Sequence, residues 1–139
     1  MSMQFMQFSA SGTVVLDASA VVRIIEGSPQ AAPLRQVLAD AALVVAPELM
    51  LTEVANALWR LHRAGELALK DLQPQLAAAA ELVDHIEPDR HLPVEALALA
   101  CHLNHPVYDC LYLALARREA AAVLTADKRL MALAEQVLP

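Results

Sequence analysis

The sequence predicts an α/β fold in three layers, with helices on both faces of a mostly parallel central sheet. Short apolar runs alternate with longer amphipathic stretches, which is the pattern of strands joined by crossover helices. The first run, "TVVL", is β-branched and has no polar face, as expected of a strand that is buried on both sides. No repeat, linker or low-complexity tract divides the 139 residues, so we expect one domain with a sizeable core.

Each element has a local signal. Four apolar runs are interpreted as strands, at 13–17, 42–47, 85–88 and 121–126. Amphipathic periodicity predicts helices near 19–26, 30–40, 48–64, 69–84, 93–103, 107–119 and 127–136. Pro74 interrupts the fourth of these, so that helix either starts near the proline or kinks there. Residues 1–12 are interpreted as a loose N-terminal extension and residues 13–139 as the single domain.

The composition limits where the protein can act. No window offers about 18 uncharged apolar residues, so no membrane span is expected, and the N-terminus lacks the basic residues and apolar run of a signal peptide. Cys101 and Cys110 form no CxxC pair and are interpreted as free core thiols of a cytoplasmic protein. The apolar content of 58% indicates a covered subunit interface. A net charge of −6 argues against nucleic-acid binding in general.

Acidic residues follow two of the apolar runs. Asp17 ends the first strand, and Asp127 follows the last strand, which ends at Thr125. Either acid could act only at the start of the next helix, Asp17 as its N-cap and Asp127 in the first turn behind an N-cap Thr125. In open parallel sheets, however, ligands bind beyond the carboxyl ends of the strands. Two acids at such ends favour a functional site there.

Asp109 lies in a helix that is otherwise almost entirely apolar. The helix begins after Pro106, which fits a helical first turn and puts Asp109 in or next to that turn. A helix that is apolar nearly all round is expected to be buried, and an unpaired buried carboxylate is costly. Asp109 therefore needs helix N–H groups, a cation or a metal as its partner.

Glu53 begins a polar face on the helix that follows the second strand. The face continues at helical spacing through Asn56, Arg60 and Arg63. A solvated helix surface would have the same pattern. Glu53, however, lies early in the helix and close to the end of the strand, so four acids can reach one edge of the sheet: Asp17, Glu53, Asp109 and Asp127.

Four motifs in order resemble those of a known family. They are "VVLDASAVV", "LTEVANALWR", "YDCLYLALA" and "LTADKRL", and they resemble the successive motifs of PIN-domain ribonucleases, specifically VapC-like toxins, from about residue 14 to residue 136. The resemblance implies a Rossmann-like domain, an endoribonuclease that uses Mg²⁺ or Mn²⁺, a homodimer and a VapB-like antitoxin as partner. It also implies an acidic site of Asp17, Glu53, Asp109 and Asp127, supported by Ser19, Asn56 and Thr125.

The residues themselves favour the same chemistry. Four converging carboxylates repel one another, so they must take up protons or bind a cation. Oxygen ligands select hard ions, so Mg²⁺ or Mn²⁺ is expected as cofactor. We assign Asp17, Asp109 and Asp127 as metal ligands, directly or through water, and Glu53 as a further ligand or as the group that orients the attacking water. Such an ion can hold a phosphodiester oxygen and activate a bound water, and the resemblance implies that RNA is the substrate that this water hydrolyses.

The net charge is a weaker objection once these four acids are set aside. Without them the 16 acidic residues fall to 12, against 10 basic ones. RNA would then be held by local cations, although each could equally be solvated. The candidates nearest the motifs are Arg60, Arg63, Lys128 and Arg129.

Other functions have to be weighed against a toxin ribonuclease. The chain could be a housekeeping PIN nuclease, or a non-catalytic module that keeps only the fold. A receiver-like signalling domain also gathers acids and Mg²⁺ at this edge, but it needs an acidic pair after the first strand, where this sequence has "DAS". His102 and His105 stand at a helix–turn boundary, and no histidine-based site is expected from them.

Overall fold

A four-stranded parallel sheet forms the centre of the protein. The computed structural model describes residues 11–139. The strands are β1 Thr13–Leu16, β2 Leu43–Pro47, β3 His85–Glu87 and β4 Ala122–Leu124. The helices are α1 Ala18–Ile25, α2 Ala31–Asp40, α3 Glu48–Arg63, α4 Leu69–Glu81, α5 Pro93–Leu103, α6 Val107–Arg118 and α7 Lys128–Val137.

The strand order decides where a ligand can bind. The strands lie in the order β3–β2–β1–β4, and all neighbouring pairs are parallel. From β1 the chain moves outward through β2 to β3, and it then crosses back to β4 on the other side of β1. The direction of winding therefore reverses between β1 and β4. Open parallel sheets bind ligands at such a point, beyond the carboxyl ends of the strands.

Helices lie in two groups that cover the sheet. Helix α1 packs against α2, α3 and α4, whereas α6 packs against α5 and α7 and against β1, β2 and β4. Right-handed crossovers put the first group on one face and the helices that lead to β4 on the other. Val15 and Leu16 have no exposed surface, and the seven residues Cys110–Ala116 of α6 are all buried. The predictions of a buried first strand and a buried apolar helix are confirmed.

The predicted elements are present, with differences at their ends. Helix α4 begins at Leu69 and continues through Pro74, so the proline does not start it. Strand β4 ends at Leu124, two residues before the predicted end, because Asp127 caps the next helix. Cys110 is buried as predicted, but Cys101 is exposed, so the prediction that both thiols lie in the core is wrong for Cys101. None of the described helices is long and apolar enough to cross a membrane.

Two residues that the sequence analysis assigned to the extension make contacts with the domain. Residues 1–10 lie outside the described residues. The Ser11 hydroxyl lies within hydrogen-bond distance of the carbonyl oxygens of Glu119 and Ala120, at 3.2 and 3.0 Å. The carbonyl of Gly12 accepts from the N–H of Ala42 at 2.9 Å. Residues 11 and 12 are therefore attached to the body of the protein.

Candidate active site

The four acids line one cavity at the edge of the sheet that the strand order marks. The cavity has a volume of about 760 Å³, and Asp17, Glu53, Asp109 and Asp127 all contribute to its wall. They arrive from four places: the end of β1, helix α3, helix α6 and the start of α7. A second cavity of about 670 Å³ lies between α5, α6 and α7 and contains none of the four acids.

Asp17 occupies the N-cap position of α1 without capping it. Its backbone is extended, and its side chain makes no capping hydrogen bond. Instead, its Oδ2 accepts hydrogen bonds from Ser19 Oγ at 2.5 Å and Thr125 Oγ1 at 2.6 Å. The residue is only 5% exposed. A simple helix cap therefore does not explain this carboxylate.

Ser19 and Thr125 join two distant parts of the chain around Asp17. The oxygen of Ser19 accepts from the N–H of Ala126 at 3.0 Å, and that of Thr125 accepts from the N–H of Asp127 at 2.9 Å. Each of the two hydroxyls donates its single proton to Asp17. Their oxygens lie 3.0 Å apart, but no proton is left for a hydrogen bond between them. These bonds fasten the start of α1 to the turn before α7.

Asp127 is itself the N-cap of α7. Its Oδ1 accepts from the N–H groups of Arg129 at 2.9 Å and Leu130 at 3.4 Å. The alternative that made Thr125 the cap and placed Asp127 in the first turn is therefore wrong. Asp127 has a structural role in addition to its position on the cavity wall.

Asp109 and Glu53 each have a partner that comes from the region of α6. His105 Nε2 lies 2.7 Å from Asp109 Oδ2. Tyr112, which is fully buried in α6, donates its hydroxyl to Glu53 Oε1 at 2.5 Å. The second bond fastens α3 to α6, so the two helices are held in register where their acids meet the cavity.

The four carboxylates share one pattern of hydrogen bonding, in which one oxygen of each has a hydrogen-bond partner and the other has none among the described residues. Among residues 11–139, hydrogen bonds reach Oδ2 of Asp17 and Asp109, Oδ1 of Asp127 and Oε1 of Glu53. No lysine or arginine in this part of the chain forms an ion pair with any of the four. Each acid therefore keeps one carboxylate oxygen available to a bound cation.

Burial and mutual repulsion keep the two deeper acids hard to ionise. Burial raises the pKa of the Asp17 carboxyl; the hydroxyls of Ser19 and Thr125 oppose this, and the charges of Asp109 and Asp127 add to it. Burial also raises the pKa of Glu53; the bond from Tyr112 opposes it, and the charges of Asp17 and Asp109 add to the rise. The repulsion on Asp17 thus comes from Asp109 and Asp127, and the repulsion on Glu53 comes from Asp17 and Asp109.

Comparisons with known proteins agree with this arrangement. A family model described as "PIN domain" matches residues 14–136. The chain belongs to the PIN-domain family. It is 34% identical over 120 residues to Ribonuclease VapC1 of Mycobacterium tuberculosis, covering 85% of this chain and 88% of that protein. It is 29% identical over 119 residues to Ribonuclease VapC3 of Pyrobaculum aerophilum, covering 84% and 91%.

A solved structure supports the fold of this PIN domain. The crystal structure of PAE2754 from Pyrobaculum aerophilum superposes with a TM-score of 0.71, covering 95% of this chain and 86% of that one. Sequence identity between the two is 21%, so the likeness concerns the fold alone. The prediction of an α/β PIN domain with a parallel sheet is confirmed, as is the resemblance to the VapC-like group.

Only some of the other residues predicted for the PIN-domain site lie at the cavity of the four acids. Ser19, Asn56 and Arg60 line the cavity with the acids. Lys128 and Thr125 line a neighbouring cavity of about 330 Å³ that shares Ala126 and Asp127 with the first. Arg63 lies over the ring of Trp59, 5.4 Å from its centre. Arg63 and Arg129 line neither of these two cavities.

Sequence reasoning missed three residues at this site. Arg23 lines the cavity and pairs with Glu26 at 3.5 Å, but nothing in its motif distinguishes it from a surface arginine. Tyr112 could not be paired with an acid 59 positions away. His105 could have been found, because it precedes Asp109 by four residues in the motif that carries the third acid.

The carboxylates of the cavity do not form a complete set of metal ligands in their present positions. Within the described part of the chain, no three His, Cys, Asp or Glu side chains stand close enough together to hold a metal ion as they are placed. The donors that line the cavity are carboxylates, which suit a hard cation rather than zinc.

Proposed function

We propose that this PIN domain is a metal-dependent endoribonuclease, the toxin of a toxin–antitoxin pair, that hydrolyses RNA at the cavity of the four acids. One observation carries the proposal. Each of the four carboxylates is held at one oxygen, and none is neutralised by a described lysine or arginine. A carboxylate as deeply buried as Asp17, surrounded by further acids and without an internal counter-charge, is typical of a site that receives a cation from solution. The relatives named ribonuclease support the choice of RNA as substrate.

The residues fit Mg²⁺ or Mn²⁺ better than a softer metal. All four donors are carboxylates, and hard cations prefer oxygen. The spacing of the donors also fits, since Mg²⁺ keeps several of its waters and binds through one or two carboxylates. It does not require three side chains in direct contact, and three are not gathered among the described residues. Asp17, Asp109 and Asp127 would hold the ion, with Glu53 as a further ligand.

The chain's own groups would each perform a distinct task. Asp17 is fixed by two hydroxyls and its carboxyl is repelled by Asp109 and Asp127, so it would bind the cation most directly. Glu53, held by Tyr112, would bind it or orient the attacking water. When bound, the ion supplies Lewis-acid chemistry, which lowers the pKa of a water and stabilises charge on the leaving oxygen. Cleavage would leave a 5′-phosphate and a 3′-hydroxyl.

The cationic side chains around the cavity would hold the RNA backbone. Arg60 and Arg23 lie on its wall, and Lys128 lies on the adjoining cavity. With so few basic groups, phosphate contacts alone give weak non-specific binding. We expect a narrow choice of RNA target rather than general degradation.

A VapB-like antitoxin and a second copy of the chain are the proposed protein partners. Several large apolar side chains are strongly exposed, among them Val94 at 84%, Leu69 at 71% and Tyr108 at 68%. Exposed apolar surface of this kind is typical of proteins that associate. Light scattering at micromolar concentration should report a dimer, and a monomer that stays unchanged with added antitoxin would contradict both partners.

The proposal is tested by cleavage of a structured RNA by the purified protein. Cleavage is expected with Mg²⁺ or Mn²⁺ and none with EDTA. Asp17→Asn should keep the fold and lower the rate roughly 100-fold or more, because an amide is a poor ligand for a hard dication. Asp40→Asn is the matched control, since it makes the same change on an exposed residue of α2. Cleavage that persists in EDTA, or a fully active Asp17→Asn variant, would reject the proposal.

A further inference from the structure

His105 contacts Asp109 but does not line the cavity. Its Nε2 lies 2.7 Å from Asp109 Oδ2, and the residue is 8% exposed. Its other ring nitrogen, Nδ1, is buried and has no hydrogen-bond partner among the described residues. The contact with Asp109 is therefore the polar interaction that accounts for a buried imidazole at this position.

The backbone holds the His105 ring in a fixed place. Helix α5 ends at Leu103, and Asn104 then adopts the left-handed conformation with φ 52°, which asparagine tolerates better than most residues. The N–H of His105 donates to the carbonyl of Ala100 at 3.1 Å. Pro106, whose ring fixes φ, follows at once and leads into α6. Both neighbours thus restrict the rotation of this short turn.

One tautomer of the neutral imidazole satisfies these contacts. A proton on Nε2 can be donated to Asp109 Oδ2, and only a lone pair is then left at the buried Nδ1. With the proton on Nδ1, the Nε2 lone pair would face a carboxylate oxygen, and a buried N–H would have no acceptor. His105 is therefore a hydrogen-bond donor to Asp109.

We propose that His105 is a positioning residue for Asp109 in the metal-dependent reaction. By donating Nε2–H to Oδ2, it fixes the rotation of the carboxylate and leaves Oδ1 as the oxygen that meets the cation. The inference rests on the proposed function. Ligating carboxylates are themselves hydrogen-bonded, and loss of such a partner lowers metal affinity or activity roughly 10–100-fold.

Three variants of the full-length protein, probed with Mn²⁺ alone, test the proposal. In His105→Gln the amide nitrogen stands near the place of Nε2 and can still donate, whereas the shorter amide of His105→Asn cannot reach Oδ2. His102→Gln is the control, because His102 is exposed on the last turn of α5. The readouts are the rise in melting temperature with Mn²⁺ concentration and the Mn²⁺ concentration that gives half-maximal RNA cleavage.

We expect the asparagine variant to need roughly 10–100-fold more Mn²⁺ in both readouts. The glutamine variant and the His102→Gln control should stay close to wild type. In an Asp109→Asn background, His105→Asn should cause no further change in the Mn²⁺ requirement, since the group that it positions is already altered.

The opposite results would assign His105 a purely structural role. The proposal is overturned if His105→Asn lowers the melting temperature in EDTA but leaves the Mn²⁺ requirement unchanged, or if the glutamine and asparagine variants lose affinity equally. Failure of the proposed function gives a different pattern. In that case wild type shows neither a Mn²⁺ shift nor cleavage, or Asp17→Asn responds to Mn²⁺ as wild type does, and the inference falls with it.

Discussion

Two buried carboxylates stand at the carboxyl ends of β1 and β3, which lie on either side of β2, in opposite surroundings. Glu87 ends β3 and is 8% exposed, while Asp17 follows β1 and is 5% exposed. Both oxygens of Glu87 are paired: Oε1 with Arg118 at 2.7 Å and His85 at 3.3 Å, and Oε2 with His91 at 2.7 Å. In Asp17, by contrast, one carboxylate oxygen accepts hydrogen bonds from two hydroxyl groups, and the charged groups near it are acids.

The two carboxyl groups respond to burial in opposite directions. The hydrogen bond from His91, with further bonds from Arg118 and His85, overcomes burial and lowers the pKa of Glu87 to about 2. Burial raises the pKa of Asp17, and repulsion by Asp109 and Asp127 adds to it. Burial by itself therefore does not mark a functional carboxylate. A carboxylate that is neutralised within the protein stabilises the fold, whereas one surrounded by acids must take up a proton or receive a cation.

The largest expected difference between the two regions is in stability. Glu87→Gln removes the nearer counter-charge of Arg118, whose other ion pair, with Glu119, is 3.9 Å long, and should lower the free energy of unfolding by about 2 kcal/mol. RNA cleavage per folded molecule should stay at the wild-type level, because the cavity of the four acids does not include Glu87. Urea unfolding and cleavage assays measure the two effects. A stable variant with impaired cleavage would reverse the assignment of the two regions.

Asp127 allows the structural and the chemical role of one acid to be separated. Asp127→Ala removes the N-cap of α7 and should cost about 1 kcal/mol, whereas Asp127→Asn keeps a good cap. Both variants should lose cleavage, since both remove the carboxylate from the cavity. Thermal melts in EDTA alongside cleavage assays measure the pair. Normal cleavage by the asparagine variant would leave Asp127 as a cap alone.

Asp109→Asn, unlike Asp127→Ala, should not lower the free energy of unfolding of the protein without metal. Removing one of several repelling charges should leave the variant at least as stable as wild type in EDTA, by up to ~1 kcal/mol in these partly solvated surroundings. Mn²⁺ should raise the melting temperature of wild type, because it binds the folded state, and should raise that of the variant much less. A destabilised variant with an undiminished Mn²⁺ shift would remove Asp109 from the site.

The smallest expected effect is the pH dependence of stability without metal. The raised pKa values of Asp17 and Glu53 mean that the folded state holds protons more tightly than the unfolded state. Their contribution is present below pH 4 and is lost as pH rises. The lowered pKa of Glu87 acts in the reverse sense: its stabilisation is present above pH 4.5 and is lost as pH falls towards 2.

Two single variants should each reduce the pH dependence of stability in a different pH range. Asp17→Asn should flatten the loss of stability on going from pH 4 to pH 7, and Glu87→Gln should flatten the loss between pH 4.5 and pH 2. Urea unfolding of both variants in EDTA measures the slopes. Identical slopes for the two variants would mean that the carboxylates do not differ as their surroundings indicate.

Most of the fold could be predicted because each strand and helix is specified locally. The apolar run before Asp17 and the periodic face of α3 needed no knowledge of the rest of the chain. Helix α4 begins before Pro74 for a local reason as well: the proline lies at the sixth residue of α4, so the carbonyl that loses its partner is that of Lys70, in the exposed first turn.

The positions of the four acids could be predicted, but their surroundings could not. A parallel sheet brings residues after its strands to one edge, and this rule is sufficient to gather Asp17 and Asp127. Which oxygen is held depends on contacts such as Glu53 with Tyr112, 59 positions apart. The pairing that separates Glu87 from the site acids depends on Arg118, which is also distant in sequence. Such contacts exist only once the layers have packed.

The hydroxyl bond from Thr125 to Asp17 spans 108 residues and has a consequence for the time at which the cavity of the four acids is complete. At about 5–20 residues per second, the ribosome delivers Thr125 roughly 5–20 seconds after Asp17. Until then β1 lacks its β4 neighbour, and Asp127 has not been made. We therefore expect nascent chains, and chains truncated before Thr125, to be unable to cleave RNA.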